Sequence, residues 1–193
     1  MIRSFLAFEL PGPVETVLSE TLGKLKESGL DVRWTAVEKI HLTVVFLGDV
    51  PEERIDFIKQ AAGEVCACHD PFTFAVKGLG IFGPPRRPRV VWAGLSGETS
   101  RMALFKRDLL EVLAPVGIKP DARPFRPHLT LGRFRSGGCG NILHCFDPIE
   151  SDECRLGDLV LFKSELTPRG AVYTVLGRMP MREATAPVGK RDR

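Results

Sequence analysis

One tetrapeptide occurs twice in this chain, as His41-Leu42-Thr43-Val44 and as His128-Leu129-Thr130-Leu131. The copies agree at His, Leu and Thr, and they hold two of only four histidines. Each copy is apolar and β-branched, which predicts a strand. In a strand, residues i and i+2 share a face. Each copy therefore sets an imidazole beside a hydroxyl and turns Leu with Val or Leu to the other side. One His-x-Thr alone would be weak evidence, because such short patterns arise by chance. Two in one chain suggest an internal two-fold repeat of strand–helix–strand units. Brought face to face, the copies would surround one small group with two histidines and two threonines. His69 and His144 have no Thr at i+2 and read as structural or solvent-exposed.

The rest of the chain alternates strand and helix signals. Residues 3–10 read as a strand closed by Pro11-Gly12-Pro13. Val14, Val17, Leu18, Thr21, Leu22 and Leu25 recur at helical spacing, predicting a helix over 13–28 that ends near Gly29. A short strand is expected at 32–35 and a longer one at 41–50. Asp49, Pro51, Glu52 and Glu53 open a second helix with buried stripe Ile55, Ile58, Ala62 and Val65. Strands follow at 72–79 and 89–95, separated by a Gly/Pro/Arg loop, and a third helix spans about 98–114. A Pro/Arg loop at 120–127 leads into the second motif, and Gly137-Gly138-Cys139-Gly140 reads as a flexible turn. Residues 155–166 and 171–179 form a hairpin around Pro168-Arg169-Gly170. Several strands abut with no helix between them, which favours α+β with antiparallel pairing over a doubly wound parallel sheet. No Walker-type loop occurs. The expected organisation is a single bilobal domain over 1–180, with a polar, disordered tail at 181–193.

Composition narrows the function. The 193 residues suit one domain or two intimate lobes, and 44% hydrophobic with 26% charged residues is ordinary for a globular protein. No run of 18 apolar residues occurs, so no membrane span is expected. The N-terminal apolar stretch is broken by Arg3 and Glu9, unlike a signal peptide. Net charge is +3, and much of the excess lies in the last residues (Arg182, Lys190, Arg191 and Arg193). A nearly neutral body argues against a long nucleic-acid footprint but tolerates a short or terminal nucleotide. Five cysteines in no framework spacing point to a reducing cytoplasm rather than to disulfides. Cys66-x-Cys68-His69 lacks zinc-site spacing and a second half, and reads as a helix end with ordinary thiols.

The paired motif suits a phosphate ester. Cleavage at phosphorus needs one group to take a proton from the nucleophile and another to give one to the leaving oxygen. Histidine titrates near neutrality, so one copy can act neutral while its twin acts charged. Attack and departure are roughly in line, which two pseudo-symmetric strands can flank. The threonine hydroxyls can donate to non-bridging oxygens. No metal or other cofactor is called for. Five residues beyond each histidine the copies differ, with Phe46 in one and Arg133 in the other. Phe46 could stack a base and Arg133 could pair with phosphate. In a regular strand both would face away from the histidines. Gly132 could allow a bulge that turns Arg133 inward. Nothing comparable precedes Phe46, for which core packing is the favoured reading. The basic stretch Pro84-Pro85-Arg86-Arg87-Pro88-Arg89 reads as solvated surface or, as a minority reading, as a lip for RNA phosphates. Arg123 and Arg126 share those readings, with Arg126 the better candidate for a substrate contact.

Paired His-x-Thr-x motifs at this separation resemble the 2H phosphoesterase superfamily. The flanks resemble its RNA 2′,3′-cyclic phosphodiesterase branch, also called 2′-5′ RNA ligases. The resemblance runs from Arg3-Ser-Phe-Leu-Ala-Phe through Trp34, His41 to Gly48, Arg89 to Gly94, Phe125 to Arg133 and Leu161 to Leu166, and closes on Gly170-Ala171-Val172-Tyr173. It implies a bilobal α+β fold, with two antiparallel sheets facing a central cleft and helices outside. It implies metal-independent hydrolysis of a 2′,3′-cyclic phosphate, on RNA ends or nucleotides, to a 2′-phosphomonoester by a monomer. His41 would be the proton donor and His128 the proton acceptor, with Thr43, Thr130 and Arg133 binding the phosphate. The near-symmetry of the motifs leaves the order of the histidines open. With a 5′-hydroxyl in place of water, the same chemistry would form a 2′-5′ linkage. The competing readings are a phosphodiesterase for another cyclic nucleotide phosphate or a 2′-5′ oligonucleotide, and a nucleotide- or RNA-binding module without turnover.

Overall fold

The computed structural model describes residues 1–84, 86–118, 124–135, 148–168 and 170–182. In chain order the elements are β1 (Ile2–Phe8), α1 (Gly12–Glu27), β2 (Val32–Trp34), β3 (Leu42–Val50), α2 (Ile55–Ala67), β4 (Phe72–Phe82), β5 (Val90–Gly97), α3 (Thr99–Val112), β6 (His128–Phe134), β7 (Cys154–Leu156), β8 (Asp158–Thr167) and β9 (Gly170–Pro180). The strands form one sheet in the order β7-β4-β5-β6-β3-β1-β8-β9, with β2 beside β6. Every pairing is antiparallel. The expected α+β class is the observed one.

The two halves of the sheet meet where the two motifs lie. One half is β3-β1-β8-β9 and the other is β6-β5-β4-β7, so each motif strand carries an equivalent set of neighbours. Between β3 and β6 the ladder holds a single pair, Leu42 with Leu129. The halves are joined there and otherwise diverge. They are also linked at the far edges. β7 pairs with β4 and β8 pairs with β1, yet only Gly157 separates the two strands in sequence. Opposite ends of the sheet must therefore come close, so the sheet is curled. The single strand expected over 155–166 divides, because the chain changes partners at Gly157.

The helices share one face. Val14, Leu18, Leu22 and Leu25 of α1, Ile58, Ala62 and Val65 of α2, and Met102, Phe105 and Leu109 of α3 belong to one core with Leu6, Phe8, Leu42, Val44, Leu129 and Leu131. Burying each such side chain contributes roughly 1.5–3 kcal/mol, so this face holds most of the stabilisation. The other face of β1 and β8 carries a separate, smaller cluster of Phe5, Ala7, Val160 and Phe162, with Tyr173 against it. Side chains of β1 thus alternate between the two clusters, as a strand buried on both faces requires. No helix among the described residues is long and apolar enough to cross a membrane.

The described chain runs slightly further than the expected domain end. Met181 is buried and donates its N–H to Gly157 O, while the Arg182 guanidinium pairs with the Asp70 carboxylate. These contacts remove 181–182 from the expected tail. Residues 183–193, the Gly137–Gly140 turn and His144 lie outside the described residues.

Candidate active site

Leu42 and Leu129, the one bonded pair between the halves, are 1% and 0% exposed on the helix side. Their neighbours in sequence turn the other way. One residue along in each direction, the antiparallel register places His41 across from Thr130 and Thr43 across from His128. The two histidines are then diagonal neighbours, a relation that spans about 7–8 Å and lies within reach of long side chains. All four groups are partly buried, neither sealed in the core nor fully exposed. The motif strands were expected face to face. They lie side by side in one sheet, joined by the single bridge.

The two imidazoles are held alike. His41 Nδ1 is 2.9 Å from Lys39 O, and His128 Nδ1 is 2.7 Å from Arg126 O. A carbonyl only accepts, so in both rings Nδ1 carries the proton and donates. Each ring therefore presents Nε2 as the free nitrogen, basic when neutral and acidic when charged. Each ring also rests on aromatics. His41 stacks on Phe5 with centroids 4.7 Å apart and meets Tyr173 edge-on at 5.2 Å. His128 meets Phe82 edge-on at 4.8 Å and lies 6.4 Å from Trp92.

This packing sets the titration. Burial pulls the His41 pKa below the ordinary 6.5, partly opposed by the hydrogen bond to Lys39. Burial does the same for His128, opposed by the bond to Arg126, and the positive charge of Arg133 lowers it further. Tyr173 is raised by burial and pulled down by Arg133 and Arg3, which puts arginines from both halves within electrostatic reach of one hydroxyl.

Both motif strands contain a bulge at the same place. Thr130 pairs with Trp92 and Gly132 with Val91, leaving Leu131 as the extra residue of β6. Thr43 pairs with Ala7 and Val45 with Leu6, leaving Val44 as the extra residue of β3. Each bulge reverses the alternation beyond it. Phe46 thus pairs with Phe5 and Arg133 with Val90, on the faces that carry Thr43 and Thr130. Turning Arg133 inward this way matches the expectation from Gly132.

Phe46 is a correction. It is 74% exposed and stands 6.3 Å from Phe5, so it is not a core residue, and a bulge does precede it. The signal was Val44-Val45, two successive apolar residues that are both buried. Gly132 serves close approach rather than conformation. A Cβ there would lie 2.5 Å from Val32 Cγ1, 3.0 Å from Arg33 O and 3.0 Å from Trp34 Cε3.

The remaining candidates divide. The Arg126 side chain is exposed beside His128 while its carbonyl holds the ring. Arg123 lies outside the described residues. Arg86 and Arg87 are exposed in the loop after Phe82, the residue against His128. His69 lies apart, with Nε2 3.0 Å from Asp108 Oδ2 and its ring against Phe105, as a structural residue. The Cys66 thiol is buried, which pushes it up to about 12, whereas Cys68 is exposed. Among the described residues no group of three or more His, Cys, Asp or Glu could hold a metal. Sequence pattern gave no place in the site to Phe5, Phe82, Trp92, Phe162 or Tyr173. They come together only through pairings far apart in sequence, and no local pattern reports those.

Comparison with known proteins identifies the family. The sequence model of the family described as LigT like Phosphoesterase matches residues 8–92 and 95–173. The RNA 2′,3′-cyclic phosphodiesterase of Thermotoga maritima is 32% identical over 179 residues, covering 91% of this chain and 93% of that protein. Its namesake in Methanothermobacter thermautotrophicus is 30% identical over 177 residues, covering 90% and 95%. The crystal structure of a Thermus thermophilus protein superposes with a TM-score of 0.82 at 28% identity, covering 94% of this chain and 98% of that one. The fold is that of the LigT-like phosphoesterases. The chain belongs to the LigT-like phosphoesterase family.

Proposed function

We propose that this protein opens 2′,3′-cyclic phosphates at RNA or nucleoside ends, leaving a 2′-phosphomonoester. The observation that carries the reading is the matched pair of imidazoles. Both have Nδ1 tied to a carbonyl and Nε2 free, across one strand junction. In the proposed step, neutral His128 Nε2 takes a proton from water as the oxygen attacks phosphorus. The bond from phosphorus to the 3′ oxygen breaks, and charged His41 Nε2 protonates that oxygen. Burial favours the neutral form of His128 that a base needs, and the charge of Arg133 adds to it, which supports this order. Among the described residues no cation lowers His41 in this way, and the bound phosphate anion raises its affinity for a proton. Thr43, Thr130 and Arg133 hold the non-bridging oxygens as charge develops. Phe46, exposed beside the motif, offers a face to a base. Arg126 lies at the His128 edge as a further phosphate contact. Two imidazoles supply both proton transfers, so no step calls on a metal.

The test is incubation with a nucleoside 2′,3′-cyclic phosphate in the presence of a chelator, followed by identification of the isomer. The 2′-phosphate is expected, at a rate indifferent to chelation. His41→Ala and His128→Ala should each slow turnover by about 10²-fold or more, and His69→Ala should not. A 3′-phosphate product, or full activity in the His41/His128 double variant, would overturn the reading.

The names borne by the relatives favour RNA 2′,3′-cyclic phosphates as the substrate class over other cyclic nucleotide phosphates.

A further inference from the structure

Two arginines stand directly opposite one another on the site face. In the antiparallel pairing of β2 with β6, Arg33 is the partner of Arg133. Like charges so placed destabilise a sheet. Both side chains are exposed, and among the described residues neither makes an ion pair. Arg135 follows two residues on, just past the end of β6, is exposed, and likewise lacks an ion pair among those residues. Its N–H donates to Asp31 O, which ties the end of β6 to β2. The three arginines thus cluster at the end of β2 and β6 that lies beyond the histidines. Successive same-face residues of a strand advance about 6.7 Å, a step that a single-stranded sugar-phosphate backbone can follow.

The opposite half contributes a boundary. An Arg33 guanidinium nitrogen lies 3.0 Å from where a Cβ on Gly170 would be, so this arginine reaches the tip of the β8–β9 hairpin. The hairpin is held by Lys39 Nζ, which donates to Ala171 O at 3.1 Å. Arg33 therefore spans the division between the half-sheets, and a polyanion leaving the junction on this side passes over it. The rest of the body is close to neutral, so this concentration of charge is local.

We infer that Arg33 and Arg135 form a phosphodiester subsite for the RNA strand on the 5′ side of the reacting end. The inference rests on the cyclic-phosphate reading above and extends it from a nucleotide to an oligonucleotide. Arg133 holds the reacting phosphate, Arg33 the next, and Arg135 the one beyond. The occupant is single-stranded RNA, because a ladder of cations with Phe46 on the other half suits unpaired bases and a flexible backbone.

The experiment compares kcat/KM for a nucleoside 2′,3′-cyclic phosphate and for a tetranucleotide ending in the same group, between about 50 and 200 mM salt. Each phosphate contact on a single strand adds about 0.7 to the log–log salt slope. Two extra contacts should therefore cost the tetranucleotide about sevenfold more than the nucleoside across that range. Arg33→Gln and Arg135→Gln should each bring this extra loss down to about 2.5-fold and lower tetranucleotide turnover selectively. Equal salt slopes for the two substrates in the unaltered protein would overturn the inference. So would an Arg33→Gln variant that slows both substrates alike, which is the mark of a brace for the hairpin. Should Arg33→Gln not fold, the Arg135→Gln slope and the length dependence of the unaltered protein decide. Failure of the unaltered protein to open the nucleoside substrate would instead sink the cyclic-phosphate reading itself.

Discussion

Gly132 is the position where one added methyl group tests how the fold holds its arginines. The backbone there is outside the left-handed region, so alanine meets no conformational penalty. The obstacle is steric. The new Cβ would sit 2.5 Å from Val32 Cγ1 and 3.0 Å from both Arg33 O and Trp34 Cε3. A methyl forced into packed surroundings costs about 1–3 kcal/mol, and here all three obstacles belong to residues of β2. That short strand must move off β6, taking Arg33 with it and loosening the pairing that supports Arg133. For a chain of this size each kcal/mol lowers Tm by about 2–4 °C, so the Tm of Gly132→Ala should fall by about 2–12 °C. KM for a nucleoside 2′,3′-cyclic phosphate should rise together with that loss. Gly23→Ala is the control. Gly23 lies exposed inside α1 with nothing within 4 Å of a Cβ, and alanine there should stabilise by about 0.5–1 kcal/mol. Calorimetry and steady-state kinetics on both variants give the answer. A Gly132→Ala protein with unchanged Tm and KM would refute the claim that close approach of β2 positions the arginine.

Other outcomes follow from the same geometry. Phe46→Ala should leave stability within about 0.5 kcal/mol, because the ring is exposed. Stacking of about 1–3 kcal/mol would then appear as a rise in KM of about 5-fold to 150-fold with kcat retained, and an unchanged KM would remove Phe46 from the substrate site. The pH profile of kcat/KM should be a bell, because one imidazole acts neutral and the other charged. Both groups are held below 6.5 in the free protein, so its centre should fall on the acid side of that value. Arg133→Gln removes a charge that lowers His128, so the acid limb should move to higher pH, and an unmoved limb would separate Arg133 from the base. The same lowered values bear on stability. As pH falls below 6.5 the unfolded chain binds protons first, so unfolding free energy should decline until the folded-state values are passed. Denaturant titrations on either side of that value, at about pH 7.5 and 5.5, should show the decline, and His41→Asn should reduce it.

Much of the candidate site was legible because its signal is local. A histidine and a threonine two residues apart need only an extended backbone to share a face, and any strand provides that. Helix positions were legible for a similar reason, since Val14, Leu18, Leu22 and Leu25 repeat with the helical period and are buried together. The division of 155–166 at Gly157 was hidden, because the change of partner from β4 to β1 is decided far away in sequence. Phe46 was misjudged by treating β3 as regular. The extra residue, Val44, is as apolar as its neighbours, and nothing but the paired burial of Val44 and Val45 betrays it. In β6 a glycine marks the equivalent place, which is why Arg133 was anticipated and Phe46 was not. The aromatic seats beneath the imidazoles were out of reach for the same cause as Gly157: Phe5, Phe82 and Tyr173 belong to three strands that meet the motifs only when the sheet forms.

The central claim is that both imidazoles address the same phosphorus atom. The most direct measurement is a crystal structure of the protein with a nucleoside 2′-phosphate bound. Phosphate oxygens are expected within hydrogen-bond reach, about 2.6–3.2 Å, of Nε2 of His41 and of Nε2 of His128 at once, with the Thr43 and Thr130 hydroxyls donating to the remaining oxygens. A phosphate seated against only one of the rings, or away from the Leu42–Leu129 junction, would contradict the account.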